Sequence, residues 1–235
     1  MIKCQGIEKK FNENIVLGGL DLHVPENRIS LLVGTNGCGK STLLKIIASL
    51  VKEDKGEIYF SGKNKNSNPT QYKKDLSYLP QEINIFDQMT IRDIEDFYLS
   101  INNTLNPNTV LRDIFKINTF DNKTFSSLSG GMKQKFMLSL IFMKNPKIII
   151  LDEPFNSLDI KAINDLTDYL VSLKRQKTIF IASHYFNKLE SLVDKLFIMD
   201  EGIIVQEENL SSSNSDKTNI NFDRSVSSFF KNYVY

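Results

Sequence analysis

The chain has 235 residues, 41% of them hydrophobic, enough for one well-buried body or a body with a lobe, and a second full domain is not required. Its 29 Lys and Arg nearly balance 28 Asp and Glu, so a net charge of +1 gives no global basic field for nucleic acid or an anionic membrane. No stretch approaches about 18 consecutive apolar residues, the N-terminus has no apolar run of the secretory type, and only Cys4 and Cys38 are present. A bilayer span and a disulfide framework are excluded, and a cytosolic setting is expected.

The first sixty residues read mostly as strands: "MIKCQGIE", the alternating "LDLHV", "ISLLV" and "EIYF", broken by one helix after Lys40. His23 alternates with apolar neighbours and is expected to face solvent. From about Thr90 to Lys144 the pattern becomes helical and predicts an inserted lobe. Thr90 with Asp93 fits a capping box before "IRDIEDFYL", Pro107 is expected to open a second helix, and "GMKQKFMLSLIFMK" has helical spacing. "KIIIL" and "KTIFIAS" then read as buried strands joined by a helix near Lys161 to Leu173, the alternation of a parallel α/β sheet, and "KLFIMDEGIIV" as a terminal hairpin. Beyond Glu208 the Ser- and Asn-rich "NLSSSNSDKTNINF" reads as a linker before an aromatic end, "SSFFKNYVY", expected to dock on the chain itself or on a partner.

Between strand and helix lies "GTNGCGKST", Gly34 to Thr42, which satisfies G-x-x-x-x-G-K-[ST]. Its glycines let backbone N–H groups turn inward onto phosphate oxygens at a positive helix end, so Gly34, Thr35, Asn36, Gly37, Cys38 and Gly39 form a cradle for a triphosphate. Lys40 is expected to reach the terminal phosphates, the Ser41 hydroxyl to ligate Mg²⁺, and Thr42 to add a hydroxyl nearby. Cys38, ahead of a helix start and beside Lys40, is expected to be an acidified, reactive thiol.

"KIIILDEP" ends an apolar strand in two carboxylates, at the strand end where open α/β sheets bind ligands. Asp152 is placed to orient Mg²⁺ and Glu153 to polarise an attacking water as general base. "LSGGMKQ" puts Ser129, Gly130 and Gly131 at another helix start, which is either a second anion cradle or an ordinary Ser N-cap.

With these motifs, and with "YLPQ", "NSLD" and "IASH" following in order, the chain resembles the nucleotide-binding subunit of ATP-binding cassette (ABC) transporters over nearly residues 1 to 208. The resemblance implies an α/β fold: a P-loop NTPase core with a mostly parallel sheet, an N-terminal antiparallel β part, and a helical lobe at about residues 82 to 144, with 209 to 235 as linker and tail. It implies that two cassettes pair head to tail, as a homodimer, so that ATP on one "GTNGCGKST" is covered by Ser129, Gly130 and Gly131 of the other. Gln81 would sense the γ-phosphate and Mg²⁺ and link the core to the lobe, where a transmembrane permease docks. His184 would hold the γ-phosphate and the water, Asp159 would connect the two sites, and Phe11 would stack on adenine. Each has a plainer alternative: Gln81 as a turn residue, Asp159 as a helix cap, His184 as a structural histidine, Phe11 as a core ring. Met132, where the family often has glutamine, departs from the pattern at the ribose.

The implied function is ATP hydrolysis coupled to transport through a separate permease, at the inner face of the cell membrane, with no nucleic-acid partner. The form "LSGGMKQ" and the absence of a long regulatory domain after the hairpin lean towards export. Rival readings are a soluble DNA-repair or translation ATPase of the same superfamily, and an ATP-binding scaffold without turnover. The stretch between Lys40 and Ser129 lacks the sustained heptads of a coiled-coil arm, only one of each motif occurs, and Glu153 with His184 argues for turnover.

Overall fold

Alternation of apolar and polar residues near the N-terminus gives an antiparallel pair, β1 (Ile2–Phe11) and β2 (Asn14–Val24), in which Leu20, Leu22 and Val24 are buried while Asp21 and His23 face solvent. A computed structural model describes residues 1–82, 87–184, 189 and 192–210. The strands that follow β2 fall into two groups. After β3 (Ile29–Gly34) and helix α1 (Lys40–Ile47), β4 (Lys55–Phe60) and β5 (Lys63–Asn64) join the first pair in a four-stranded sheet of order β2-β1-β4-β5. Helix α2 (Pro69–Asp75) then leads into β6 (Leu76–Leu79).

The runs around "ISLLV", "IIIL" and "TIFIA" have no polar face to offer water, and all three are buried throughout. They become the centre of a six-stranded sheet of order β10-β9-β3-β8-β7-β6, where β7 is Ile148–Asp152, β8 Thr178–Ala182, β9 Lys195–Asp200 and β10 Ile203–Asn209. Strands β6, β7, β8, β3 and β9 run parallel, and β10 returns antiparallel on β9, which is the expected hairpin. The parallel strand ends therefore gather on one edge, where the loops after β3, β6, β7 and β8 converge.

Although these strands are buried on both faces, period two still divides them. Leu31, Val33, Ile149, Leu151, Ile179, Ile181 and Ile198 pack with the helices of one layer. Leu32, Ile150, Phe180, Phe197 and Met199 pack with Leu43, Leu44 and Ile47 of α1 and with Cys4, Ile7 and Leu22 of the antiparallel sheet. Each such side chain contributes about 1.5–3 kcal/mol by leaving water, so the loops stand on a rigid, three-layered base.

Helix α3 (Ile91–Ile101) opens on the predicted capping box: Thr90 Oγ1 accepts from the Asp93 N–H, and Asp93 accepts from the Thr90 N–H. The second helix of the lobe, α4 (Val110–Ile114), does not start at Pro107. The Asn108 N–H donates to the Met143 carbonyl, its side chain donates to Tyr169 Oη and accepts from the Val110 N–H, and so Asn108 is pinned outside the helix. Arg112 on α4 binds Asp121 with two hydrogen bonds of 2.6 Å and also pairs with Glu95 on α3, holding the lobe together. Helix α5 (Gly130–Met143) begins at the N-cap Ser129 and is buried along Phe136 to Met143, so its second half belongs to the core layer; α6 (Ile160–Ser172) packs beside it. The aromatic end "SSFFKNYVY" lies outside the described residues.

Candidate functional site

The loop after β3 needs glycine at two positions for packing. A Cβ on Gly34 would sit 2.3 Å from the Met199 carbonyl oxygen, and Gly39, at φ 108, would bring a Cβ within 2.9 Å of the Val16 carbonyl oxygen. Sealed against β9 and β2 in this way, the loop delivers the chain into α1 with its first N–H groups directed at the loop. Lys40, only 9% exposed, turns back and donates from Nζ to the carbonyls of Gly34 at 2.8 Å and Thr35 at 3.0 Å.

Above the loop is a cavity of about 320 Å³ lined by Asn36, Gly37, Gly39, Lys40, Ser41, Thr42, Gln81, Asp152, Glu153 and Val16. Nine of these ten are residues singled out from the sequence, brought together from the ends of β3, β6 and β7. Val16 was missed, because a β2 valine carries no chemical signal. Gly34 and Thr35 serve the cavity through the carbonyls that hold Lys40.

Asp152 ends β7 and is buried; its Oδ1 has no hydrogen-bond partner among the described residues, while the Tyr78 hydroxyl lies 3.4 Å from Oδ2. Burial raises its pKa, the Glu153 charge adds to this, and the hydroxyls of Ser41 and Tyr78 oppose it. A buried carboxylate oxygen without a donor, beside a serine hydroxyl, fits a hard divalent cation such as Mg²⁺, which takes oxygen ligands. Tyr78 is a further residue of the site that carries no motif signal of its own, although it stands three positions before Gln81.

Glu153 takes a positive φ of 51, rare for a residue with a side chain. Its N–H donates to the Ala182 carbonyl at 2.8 Å, and its Oε2 lies 2.9 Å from Nδ1 of His184 and accepts from the His184 N–H at 3.4 Å. The loops after β7 and β8 thus bring the acid and the histidine into contact at the cavity.

Cys38 contradicts its expectation. Its side chain is 6% exposed and packs inward, and burial raises the thiol pKa despite the opposing Lys40 charge. Gly34 at the β3 end lies against the Cys38 sulfur, and Met199 of β9 belongs to the same buried cluster, so the field of Lys40 alone misleads. Phe11 is not a core ring: it is 46% exposed at the end of β1, with Lys9 Nζ 5.3 Å from its centroid, and it does not line the cavity.

Ser129, Gly130 and Gly131 also stand apart from this cavity. Ser129 Oγ accepts from the Met132 N–H, so the N-cap is real, and Gly130 and Gly131 pack on Ser157. Asp159 caps α6 by accepting from the Ala162 N–H at 2.8 Å, and it meets Lys135 Nζ at 2.6 Å, whose hydrogen bond holds the carboxyl below its ordinary range. Capping uses a side-chain oxygen of each residue, and at the α5 start Ser129 and Gly130 are exposed. Among the described residues no helix is long and apolar enough to cross a membrane.

The ABC transporter family model matches residues 17–156. The spermidine/putrescine import ATP-binding protein PotA of Mycoplasma mycoides subsp. mycoides is 30% identical over 213 residues, covering 88% of this chain and 60% of that protein. The chain therefore spans less than two thirds of that relative's length. The lantibiotic transport ATP-binding protein SrtF of Streptococcus pyogenes is 28% identical over 219 residues, covering 91% of this chain and 93% of that protein. Among solved structures, the ATP-binding subunit of an ABC transporter shares the fold with a TM-score of 0.81 at 22% identity, covering 94% of this chain and 99% of that one. A bacterial ABC transporter cassette solved as a dimer gives 0.80 at 25% identity, covering 91% and 100%.

Proposed function

Because the chain belongs to the ABC transporter family, we propose that it binds and hydrolyses ATP and thereby powers transport through a separate transmembrane permease. The observation that carries this reading is the convergence of Lys40, Ser41, Gln81, Asp152 and Glu153 on one cavity. The N–H groups of Gly37, Gly39, Lys40, Ser41 and Thr42 receive the phosphate oxygens at the start of α1, and the Lys40 ammonium faces the terminal phosphates. Phe11, exposed and flat, offers its ring to adenine.

Ser41, Gln81 and Asp152 would hold Mg²⁺, which neutralises charge on the phosphate oxygens when bound. Glu153 accepts a proton from the attacking water while the water oxygen bonds to the γ-phosphorus and the bond to the β–γ bridging oxygen breaks, releasing ADP and phosphate. His184, in contact with Glu153, keeps the water and the γ-phosphate aligned.

The exposed start of α5 supports pairing with a second copy: Ser129, Gly130 and Gly131 would close the partner's nucleotide, and Asp159 beside them would couple the two sites. On this reading residues 1 to 208 form the cassette, the lobe at about 82 to 144 meets the permease through Gln81, and residues 209 to 235 are a linker and tail. The cassette then sits at the inner face of the membrane, and the "LSGGMKQ" form favours export.

Glu153→Gln tests the reading. Turnover falls about 10²–10⁴-fold, as for loss of a general base, while ATP binding is kept and an ATP-bound dimer accumulates in gel filtration. Wild-type hydrolysis with a monomer in MgATP would overturn it.

A further inference from the structure

The first turns of α5 and the segment after β7 meet at three points within one chain. Gln134, 8% exposed, donates from Nε2 to the Pro154 carbonyl at 2.9 Å. Lys135 reaches Asp159. Between them Gly131 lies so close to the backbone at Ser157 that a Cβ would approach its carbonyl oxygen to 2.7 Å.

Pro154 directly follows Glu153, and both Glu153 at φ 51 and Ser157 at φ 62 hold a backbone conformation that persists only where the surroundings enforce it. The Ala182 carbonyl holds the Glu153 N–H on one side. Gln134 holds the peptide after Pro154 on the other. Its amide spans from a helix that lines no part of the cavity to the backbone that aims a cavity carboxylate.

Resting on the reading of Glu153 as general base, we propose that Gln134 is a positioning residue for that carboxylate, acting through the Pro154 carbonyl. It does so from the helix whose first turn this chain presents to a second copy. A shift of α5 when it docks on the partner's nucleotide is thereby transmitted to the chain's own acid, so that closure of one site aims the base of the other.

The test uses the full chain with Gln134→Met, which keeps side-chain length and removes the donor. The kcat falls about ten- to hundredfold, as for a displaced catalytic group, while KM and ATP affinity stay unchanged. In a Glu153→Gln background the same change leaves the residual single-turnover rate unaltered, because it acts through a group already removed. Gln134→Glu gives an independent reading: its carboxyl donates only when protonated, so its kcat relative to wild type rises as pH is lowered. Thermal unfolding checks that both variants fold, and if Gln134→Met does not, the pH profile of Gln134→Glu decides. A wild-type kcat in Gln134→Met, losses that multiply in the double variant, or a flat profile in Gln134→Glu overturns the proposal. Wild-type turnover in Glu153→Gln alone overturns instead the reading of the acid on which it rests.

Discussion

Gly130 and Gly131 begin the same helix, yet a methyl group added to each meets different surroundings. On Gly130 it would lie 3.5 Å from the Ser157 hydroxyl, an ordinary contact with a group that can rotate; on Gly131 it would lie 2.7 Å from the Ser157 carbonyl oxygen. Carbon and oxygen rest about 3.3–3.6 Å apart even in favourable contacts. The α5 start and the Ser157 backbone must therefore separate by roughly 0.6 Å, and overpacking of this kind costs about 1–3 kcal/mol. Exchanging glycine for alanine in a helix returns up to about 1 kcal/mol at either position, so the helix term cancels when the two variants are compared. At about 2–4 °C per kcal/mol for a chain of this size, Gly131→Ala should melt roughly 2–12 °C below Gly130→Ala. Differential scanning calorimetry of the two proteins without nucleotide reads this directly. Equal melting temperatures would refute the packing argument, and with it the view that α5 is clamped to the segment after Glu153.

Cys38 and Cys4 should both resist a maleimide at neutral pH in the folded protein and react once it is unfolded, since burial raises both thiols, Cys4 to about 12; one fast-reacting thiol in peptide mapping would contradict this. Burial pushes Glu95 up to about 7 from 4.5, with the Arg112 charge opposing. Its protonated form is thus favoured by folding: this contribution is full below pH 4.5, is lost as pH rises through about 7, and is constant above. The melting temperature of Glu95→Gln minus that of wild type should accordingly widen with pH across this window; a difference that is flat or narrows would be inconsistent. Mixing a Lys40→Ala chain with a Gly130→Asp chain should give heterodimers with one intact composite site and more ATPase activity than either parent, and confirmed heterodimers without rescue would reduce the α5 start to a cap.

The features legible in the sequence were those whose cause is local. Continuous apolar runs identified β3, β7 and β8, and Thr90 with Asp93 marked the start of α3 because a capping box is complete within four residues. The loop from Gly34 to Thr42 and the Asp152–Glu153 pair were readable because backbone geometry and chemistry act there within a few positions. Helix α2 was missed: in a polar stretch only Tyr72 is buried, although Asn68 as cap and Pro69 behind it were available signals. Pro107 was misread because its neighbour Asn108 is held by Met143 and Tyr169, partners far along the chain. The same cause hid the burial of Cys38, which shares a cluster with Met199, the places of Val16 and Tyr78, and the proposed role of Gln134, whose residue types become informative only once the sheet order is known.

The two carbonyls that grip Lys40 have a consequence for discrimination among ligands. They are neutral dipoles, so they solvate the ammonium without cancelling its charge, as a carboxylate partner would. A ligand group that displaces them must offer more than another dipole. A nucleoside or a neutral sugar gains nothing by the exchange, whereas a chain of phosphates gains a full charge-to-charge attraction in a site of low polarisability. The loop thus ranks its ligands by the charge they carry to Lys40 before their shape is consulted.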